Sequence, residues 1–209
     1  MLTLYHAPQS RSSRIVRLID ELDIRNDIDV RIVGVTRNDG TGGHDPRNPH
    51  PEGKVPLLVH DGVEIWESNA IILYLTDLFP QAGMGPVVGD PLRGRYLSWL
   101  AWYGNVVEPV VAMGVANLSH PVLDVTFRGM PEMIARLAGA LESAPFLMGE
   151  KFTAADLLLV STFTWSPDAA PDNQAIKEWI NRCEARPSAK RMAEFDSKHL
   201  EQNNETSLS

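Results

Sequence analysis

The first third of the chain contains two kinds of apolar pattern. Short runs predict strands, and longer runs place their apolar residues on one face of a helix. Apolar and polar side chains alternate over residues 2–5, which predicts a first β-strand. From residue 15 apolar residues recur every three or four positions, which predicts an amphipathic helix ending near Asp23. Alternation returns over residues 28–33 and predicts a second strand. This order predicts a βαβ unit whose two strands are parallel.

The following segment predicts a hairpin and a second helix. Residues 34–53 are polar and rich in Gly, Pro, Asn and His, and a loop of this length is typical of a functional or mobile segment. The apolar runs 55–59 and 63–66 flank an Asp-Gly pair, which is a strong hairpin signal. Ser68 is the predicted N-cap of a helix that ends before Pro80.

Beyond a Gly- and Pro-rich linker at residues 81–91, the pattern is helical throughout. The predicted helices span residues 92–113, 131–141, 153–163, 174–185 and 189–195. Pro109 predicts a kink in the first of these helices, and residues 201–209 are predicted to be a disordered tail. The predicted fold class is therefore α/β plus all-α, with one domain over residues 1–80 and an all-helical domain over residues 92–200.

Composition and charge narrow the classes of function. The 209 residues are 44% apolar and 22% charged, which is typical of a globular protein, and the formal net charge is −8. Negative charge repels phosphate backbones and anionic lipid, so we expect neither a nucleic-acid nor a membrane partner. We also expect no signal peptide and no membrane span. The single cysteine, Cys183, fits a reducing compartment and hence a cytoplasmic location.

The turn between the first strand and the first helix contains a candidate catalytic hydroxyl, Ser10. A hydroxyl at this place caps the helix or donates a hydrogen bond to an anion in front of it. Because a free thiol titrates near ~8.5, such a hydrogen bond and the helix dipole would make a bound thiol substantially ionised near neutral pH. Serine itself has no evident general base, since His6 lies on the other side of Pro8 and no aspartate partner is evident. Ser12 and Ser13 are expected to begin the helix and face solvent or the cap.

Two pairs of residues suggest a site for a peptide. A cis Val55-Pro56 bond would turn the Val55 backbone groups outward to pair with an extended peptide, although an ordinary trans proline at a strand start is the alternative. Ser68 and the first helical amides form a carboxylate pocket, and the adjacent Glu67 can pair with an ammonium group. The alternative for this second pair is a plain helix cap.

Other candidate sites have weaker support. The six histidines show no metal-ligand spacing, and no phosphate-binding glycine motif precedes a helix. The aromatic residues Tyr96, Trp99 and Tyr103 lie at helical spacing, which is more typical of a core than of a ligand pocket.

Four stretches taken together resemble the cytosolic glutathione S-transferase family. They are APQSRSSR at residues 7–14, NPHPEGKVPLL at 48–58, WESNAIILYL at 66–75 and GEKFTAADLLL at 149–159. The resemblance covers roughly residues 1–195 and points to a serine-type, bacterial-like member. It implies a thioredoxin-like N-terminal domain, an all-helical C-terminal domain, glutathione as co-substrate without a metal, and a homodimer.

The resemblance also implies roles for individual residues. It implies that Ser10 activates the glutathione thiol, that the backbone of a cis Val55-Pro56 pairs with the cysteinyl unit, and that Glu67 and Ser68 hold the γ-glutamyl end. The remaining implied contacts are Lys54 with His44 or Asn48 for the glycyl carboxylate, and Trp99, Tyr103 and Trp165 for an electrophile between the domains. Asp156, in a capping box with Thr153, is expected to be structural.

Several alternatives remain open at this point. Tyr5 or Ser12 could activate the thiol in place of Ser10, and residues 40–51 are longer than the compact family pattern, which leaves the glycyl contacts open. The expected function is addition of the glutathione thiolate to a small apolar electrophile. The alternatives are a non-catalytic binding or assembly protein of the same fold, and a glutathione-dependent isomerase.

Overall fold

A mixed four-stranded sheet organises the N-terminal part of the chain. A computed structural model describes residues 1–165 and 170–206, and the side chains of Trp165 and of residues 202–206 lie outside that description. The strands are β1 (Leu2–His6), β2 (Ile28–Ile32), β3 (Leu57–His60) and β4 (Val63–Trp66), in the order β2-β1-β3-β4. Strand β1 is parallel to β2 and antiparallel to β3, and β4 is antiparallel to β3. The predicted parallel βαβ unit and hairpin are confirmed.

Helices α1 (Ser13–Glu21) and α2 (Ser68–Leu78) accompany this sheet, and a single 3₁₀ turn follows at Pro80–Ala82. Aliphatic side chains that are fully or almost fully buried form the core between these elements: Leu4, Ile15, Leu18, Leu57, Leu58, Ile71, Ile72 and Leu75. Burying such a side chain contributes about 1.5–3 kcal/mol, so this core holds the ends of the strands and helices in fixed positions.

The start of α2 differs from the prediction. Ser68 is the first helical residue, and the N-cap position belongs to Glu67, whose side chain makes no capping hydrogen bond. The backbone of Glu67 has φ +72°, a left-handed conformation that redirects the chain from β4 into the helix within one residue. Prediction from a capping preference missed this because the preference assumes an extended N-cap residue.

The next part of the chain is helical, as predicted. Its helices are α3 (Arg93–Trp102), α4 (Glu108–Val115), α5 (Pro121–Phe127), α6 (Gly129–Leu141), α7 (Ala154–Trp165) and α8 (Gln174–Glu184). A π-helical turn at Tyr103–Val107 joins α3 to α4, where a kink at Pro109 was predicted. Pro109 lies in the first turn of α4, where a missing N–H costs no helical hydrogen bond. Helix α5 was not predicted; it has only seven residues, and none of its side chains is buried.

Helix α9 (Pro187–Thr206) ends the described chain and packs against α1. It is longer than the predicted helix, and residues 201–206, expected in a disordered tail, are helical. By its contacts the chain divides into two units: residues 1–82 with the C-terminal segment from Arg186 onward, and residues 83–185. The first unit therefore combines elements from both ends of the sequence.

Candidate active site

The turn after β1 holds three serine hydroxyls in one hydrogen-bonded cluster. Ser10 Oγ donates to the Ala7 carbonyl at 2.6 Å and lies 2.7 Å from Ser12 Oγ. It also accepts a hydrogen bond from the Ser12 amide at 3.1 Å. The preceding residue, Gln9, has φ +51°, a left-handed conformation that is uncommon outside glycine. Ser10 is 9% exposed, and both of these contacts of its hydroxyl oxygen with Ala7 and Ser12 are buried.

Ser12 and Ser13 begin α1, as predicted, but neither side chain faces solvent. Ser12 is fully buried, and its hydroxyl accepts a hydrogen bond from the Ala7 amide at 3.1 Å. Ser13 is also buried, and its hydroxyl donates to Asp196 Oδ2 at 2.5 Å. Both side chains turn inward because the interior offers them polar partners, among them a carboxylate that lies far away in the sequence.

The expectation that His6 is separated from the serines and has no aspartate partner is wrong. His6 Nδ1 lies 2.7 Å from Ser12 Oγ, and His6 Nε2 lies 3.0 Å from Asp196 Oδ1. The ring of His6 is fully buried. Asp196 belongs to α9, 190 residues away in sequence, so no local motif could have revealed this pair.

The carboxyl group of Asp196 is ionised in this environment. Burial alone would raise its pKa, but hydrogen bonds from His6, Ser13 and the Gln9 amide outweigh that effect and hold the pKa below its ordinary value of 3.8. The Gln9 amide donates to Asp196 Oδ2 at 2.6 Å. One buried carboxylate therefore fixes the histidine and the backbone of the turn together.

A guanidinium group holds the outer side of the same turn. Arg37 Nη2 donates to the Pro8 carbonyl at 2.9 Å, and Nη1 donates to the Gln9 carbonyl at 3.2 Å. These contacts come from the long polar loop after β2, which the sequence predicted to be functional or mobile, and they give it a structural role at the turn. The turn that carries Ser10 is thus fixed by Asp196 on one side and by Arg37 on the other.

The second half of the candidate site lies at β3 and the start of α2. The Val55-Pro56 peptide bond is cis, as the family resemblance implies, and Val55 is partly buried. Glu67 is exposed and Ser68 is buried at the first position of α2. A left-handed conformation at a residue such as Glu67 costs on the order of 1–3 kcal/mol and is typical of functional sites.

The residues expected to contact a glycyl carboxylate have different environments. Asn48 is buried and structural, since its Nδ2 donates to the Lys54 carbonyl at 3.1 Å and its Oδ1 accepts from the His50 amide at 3.1 Å. His44 is exposed. Lys54 is exposed and pairs with Glu52, and this hydrogen bond and charge contact raise the pKa of Lys54.

The charge environment of Lys54 connects it to both halves of the site. The negative charge of Glu67 raises the pKa of Lys54 further, and the positive charge of Arg11 lowers it. Arg11 follows Ser10 directly and is exposed. Sequence reasoning missed Arg11, although a basic residue beside the proposed thiol site is the available signal.

The aromatic residues predicted for the electrophile are mostly buried. Trp99 packs edge-on against Trp102, and the Arg136 guanidinium lies over both rings. Tyr103 is buried and donates its hydroxyl hydrogen to Glu108 Oε1 at 2.7 Å. The side chain of Trp165 lies outside the described residues. Trp99 also lines a surface depression of about 300 Å³, together with Arg95, Ser98, Arg136, Gly139 and Ala140.

Asp156 occupies a structural position in the helical unit. Its carboxylate accepts hydrogen bonds from the amides of Leu147 and Thr153, from the Thr153 hydroxyl and from Trp179 Nε1, at 2.8–3.0 Å. Burial raises its pKa although these hydrogen bonds oppose the shift. Within the described residues no cluster of histidine, cysteine and acidic side chains could hold a metal ion. None of the described helices is long and apolar enough to cross a membrane.

Two family models match the chain, one in its N-terminal part and one in its C-terminal part. The family model described as glutathione S-transferase, N-terminal domain, matches residues 1–77. The model described as glutathione S-transferase, C-terminal domain, matches residues 95–187. Together these two matches cover most of the chain in the order that the family requires.

Individual relatives have low sequence identity to this chain but align with most of its length. Glutathione S-transferase 3 of Schizosaccharomyces pombe is 26% identical over 215 residues, covering 93% of this chain and 87% of that protein. A sphingomonad glutathione S-transferase solved in complex with glutathione has the same fold, with a TM-score of 0.75, 23% identity, and coverage of 93% and 98% of the two chains. Elongation factor 1-gamma of Danio rerio is 25% identical over 178 residues, which are 71% of this chain and 38% of that protein.

Proposed function

Because the chain belongs to the glutathione S-transferase family of enzymes, we propose that it activates the thiol of glutathione at Ser10 and adds the thiolate to a small apolar electrophile. Glutathione would lie along the cis Val55-Pro56 segment, with its γ-glutamyl end at Glu67 and Ser68. Lys54, with His44 and the Asn48 loop beside it, would face the glycyl carboxylate. The cytoplasm, where glutathione is kept reduced, is the proposed location.

The position of the candidate hydroxyls relative to the start of α1 carries the choice of Ser10. Ser12 is fully buried, and Tyr5 lies in β1 with Arg31 stacked on its ring and 3.4 Å from its hydroxyl. Ser10 lies in the turn just before α1 and is 9% exposed, whereas Tyr5 lies within the strand. A hydroxyl there can rotate outward and donate to a sulfur anion, which the N-terminal end of the helix dipole also stabilises.

The electrophile would meet aromatic side chains of the helical unit. Trp99, Tyr103 and Trp165 remain the proposed residues, and Trp99 has the best support because it lines the depression beside Arg95 and Arg136. We also propose a homodimer, since β4 is the last strand of the sheet and carries an exposed tryptophan, Trp66.

The test of Ser10 is a thiolate absorbance difference spectrum on adding glutathione, followed by turnover with an aromatic electrophile. Ser10→Ala should retain glutathione binding but lower kcat by on the order of 10²-fold, as for loss of one donor to a developing anion. The matched control is Ser197→Ala, which removes an exposed hydroxyl from α9. A larger loss in Ser12→Ala than in Ser10→Ala would contradict the assignment.

The same experiment distinguishes a second candidate function. The similarity to elongation factor 1-gamma favours a binding or assembly role for this fold. In that case the protein would bind glutathione without forming a thiolate and without consuming the electrophile. A glutathione-dependent isomerase would instead form the thiolate and return glutathione unchanged after turnover.

A further inference from the structure

The residues Ser10, Ser12, His6 and Asp196 form a continuous chain of hydrogen bonds, hereafter the relay. Successive heavy-atom distances along it are 2.7 Å from Ser10 Oγ to Ser12 Oγ, 2.7 Å from Ser12 Oγ to His6 Nδ1, and 3.0 Å from His6 Nε2 to Asp196 Oδ1. Every distance lies within the range of a direct hydrogen bond. The two serine hydroxyls and the imidazole ring can each donate and accept a proton. The last group of the relay, the Asp196 carboxylate, is an anion.

The ends of the relay fix the direction of its hydrogen bonds. Asp196 is a carboxylate and only accepts, so His6 donates its Nε2 hydrogen to it. A ring that carries its hydrogen on Nε2 alone accepts at Nδ1, and in that state the Ser12 hydroxyl, which also lies 3.2 Å from the Ala7 carbonyl, donates to it. Because the one hydroxyl hydrogen of Ser12 is used in this way, the hydrogen of Ser10 points inward, to Ser12 Oγ or to the Ala7 carbonyl.

We infer that the relay accepts the proton that glutathione loses at Ser10, and that His6 is its final acceptor. This inference rests on the proposed function, which places the thiol at Ser10. The S–H bond breaks as the proton moves to Ser10 Oγ, Ser10 passes its own hydrogen to Ser12 Oγ, and Ser12 passes its hydrogen to His6 Nδ1. The products are a thiolate and an imidazolium ion, so the net charge of the site is unchanged.

The new arrangement satisfies every group in the relay. Ser10 now donates to the thiolate, Ser12 donates to Ser10 Oγ, and the imidazolium ring donates from both nitrogens, to Ser12 and to Asp196. The carboxylate of Asp196 stabilises the positive ring in a buried site, where an unpaired charge would be costly. His6, Ser12 and Asp196 are thus positioning residues, which act on the thiol through Ser10.

Burial separates this role from that of a hydrolase. A Ser12–His6–Asp196 set has the connectivity of a nucleophilic triad. Ser12 and His6 are both fully buried, however, so a substrate carbonyl cannot reach the Ser12 hydroxyl. Ser10, at 9%, is the most exposed member of the relay, and its hydrogen-bonded path to the histidine runs through Ser12.

Counting protons tests this inference directly. Calorimetric titration with glutathione in buffers of different ionisation enthalpy gives the protons released to solvent, and the difference spectrum gives the thiolate formed. The wild-type protein should release few protons per thiolate because His6 retains them. His6→Asn keeps an acceptor near Ser12 but cannot hold the proton, so it should release about one proton per thiolate.

A second variant and a matched control complete the design. Ser12→Ala interrupts the relay in its middle and should release about as many protons as His6→Asn, so the test survives if His6→Asn does not fold. His60→Asn is the control, because His60 Nδ1 also pairs with a hydroxyl in the same unit, that of Tyr74 at 2.6 Å, outside the site. It should behave as the wild type. Both relay variants should also lower kcat by about 10²-fold with a smaller change in KM for glutathione.

The outcomes distinguish failure of the relay from failure of the proposed function. If the wild-type protein forms the thiolate but releases about one proton for each, the relay is overturned and Ser10 activation stands. If glutathione binds without forming a thiolate, or does not bind, the proposed function fails and this inference fails with it.

Discussion

Ser68 and Glu67 combine a buried hydroxyl with an exposed carboxylate at the start of one helix. The left-handed backbone of Glu67 places its side chain in solvent, while Ser68 begins α2 with its side chain buried. The first amides of a helix have no acceptor within the helix, and such amides together with a hydroxyl like that of Ser68 can bind a ligand carboxylate; in α2 the Ala70 amide donates to Asn69 Oδ1. The adjacent Glu67 supplies the opposite charge for an ammonium group.

Ser68→Ala should therefore weaken glutathione binding more than it affects catalysis. A hydrogen bond to a charged group contributes about 1.5–3 kcal/mol, so we expect Kd to rise by roughly 10- to 100-fold with kcat at saturation nearly unchanged. Calorimetric titration measures the affinity, and Ser197→Ala serves again as the control. Unchanged affinity in Ser68→Ala would remove the γ-glutamyl assignment.

At the scale of single residues, the sequence predicts the features of a side chain that depend on neighbours a few positions away. The position of Ser10 in the turn could be found because turn preferences act locally, whereas the capping preference placed the N-cap of α2 one residue too late, at Ser68. The inward direction of Ser12 and Ser13 could not, because it depends on a carboxylate 183 residues or more away. The left-handed residues Gln9 and Glu67 also carry no sequence signal, since neither is Gly or Asn.

At the scale of elements, the contact between α1 and α9 decides whether the site is complete. Arg186 donates two hydrogen bonds to the Glu21 carboxylate at 2.7 and 2.6 Å, and Ser188 donates a third at 2.5 Å. Arg191 pairs with the neighbouring Asp20 at 2.6 Å. These contacts fix the start of α9 and hence the position of Asp196, two and a half turns further along.

Acid should weaken this contact. Burial alone would raise the pKa of Glu21, but hydrogen bonds from Arg186 and Ser188 lower it below its ordinary value of 4.5. A carboxyl group with a lowered folded pKa stabilises the protein fully above the unfolded pKa, and this contribution is lost as the pH falls through the folded pKa. The loss should therefore begin below about 4.5.

Glu21→Gln should lower the free energy of unfolding by about 2 kcal/mol near neutral pH and reduce its dependence on acid. Denaturant unfolding at a series of pH values measures both effects. Glu194→Gln is the matched control. Glu194 is exposed on α9, and its contact with Lys190 is longer, at 3.6 Å. An equal loss in both variants would show that the Glu21 contact has no special role.

The elements themselves were predicted where one face is buried and one is exposed. Helix α5 lacks that contrast, and the π-helical turn at Tyr103–Val107 follows from packing that a periodic pattern does not record. The length of α9 was underestimated because its later residues are polar and low in hydrophobic contrast.

At the scale of the whole molecule, the edge of the sheet is the surface proposed to meet a second copy of the chain. Trp66 is 53% exposed on β4, and an edge strand with a large aromatic side chain is prone to association. Wild-type protein should have twice the chain mass by light scattering. Trp66→Glu should shift it toward the monomer.

The control for this prediction is Val88→Glu, which places the same charge on an exposed apolar residue away from the sheet. A monomeric wild-type protein, or an unchanged mass in Trp66→Glu, would contradict the proposed interface. The Trp66 variant must also be assayed for glutathione binding, because its neighbour Glu67 is part of the proposed site.

The order of strands and helices was enough to predict the fold class. It did not predict that the C-terminal helix belongs to the same unit as the first strand, because that association depends on ion pairs across the whole length of the chain. Local patterns determine the elements, whereas the pairing of distant polar side chains determines which elements share a unit.

The 190-residue separation of His6 and Asp196 has a consequence for how the protein is made. A ribosome adding about 5–20 residues per second needs roughly 10–40 s to pass from one to the other. During that interval the nascent chain already contains the turn, the cis proline and the start of α2, but not the acid that orients the histidine. The chain can thus contain every proposed contact to glutathione before it contains the group that completes the relay, so full activity would be acquired only after Asp196 has been synthesised.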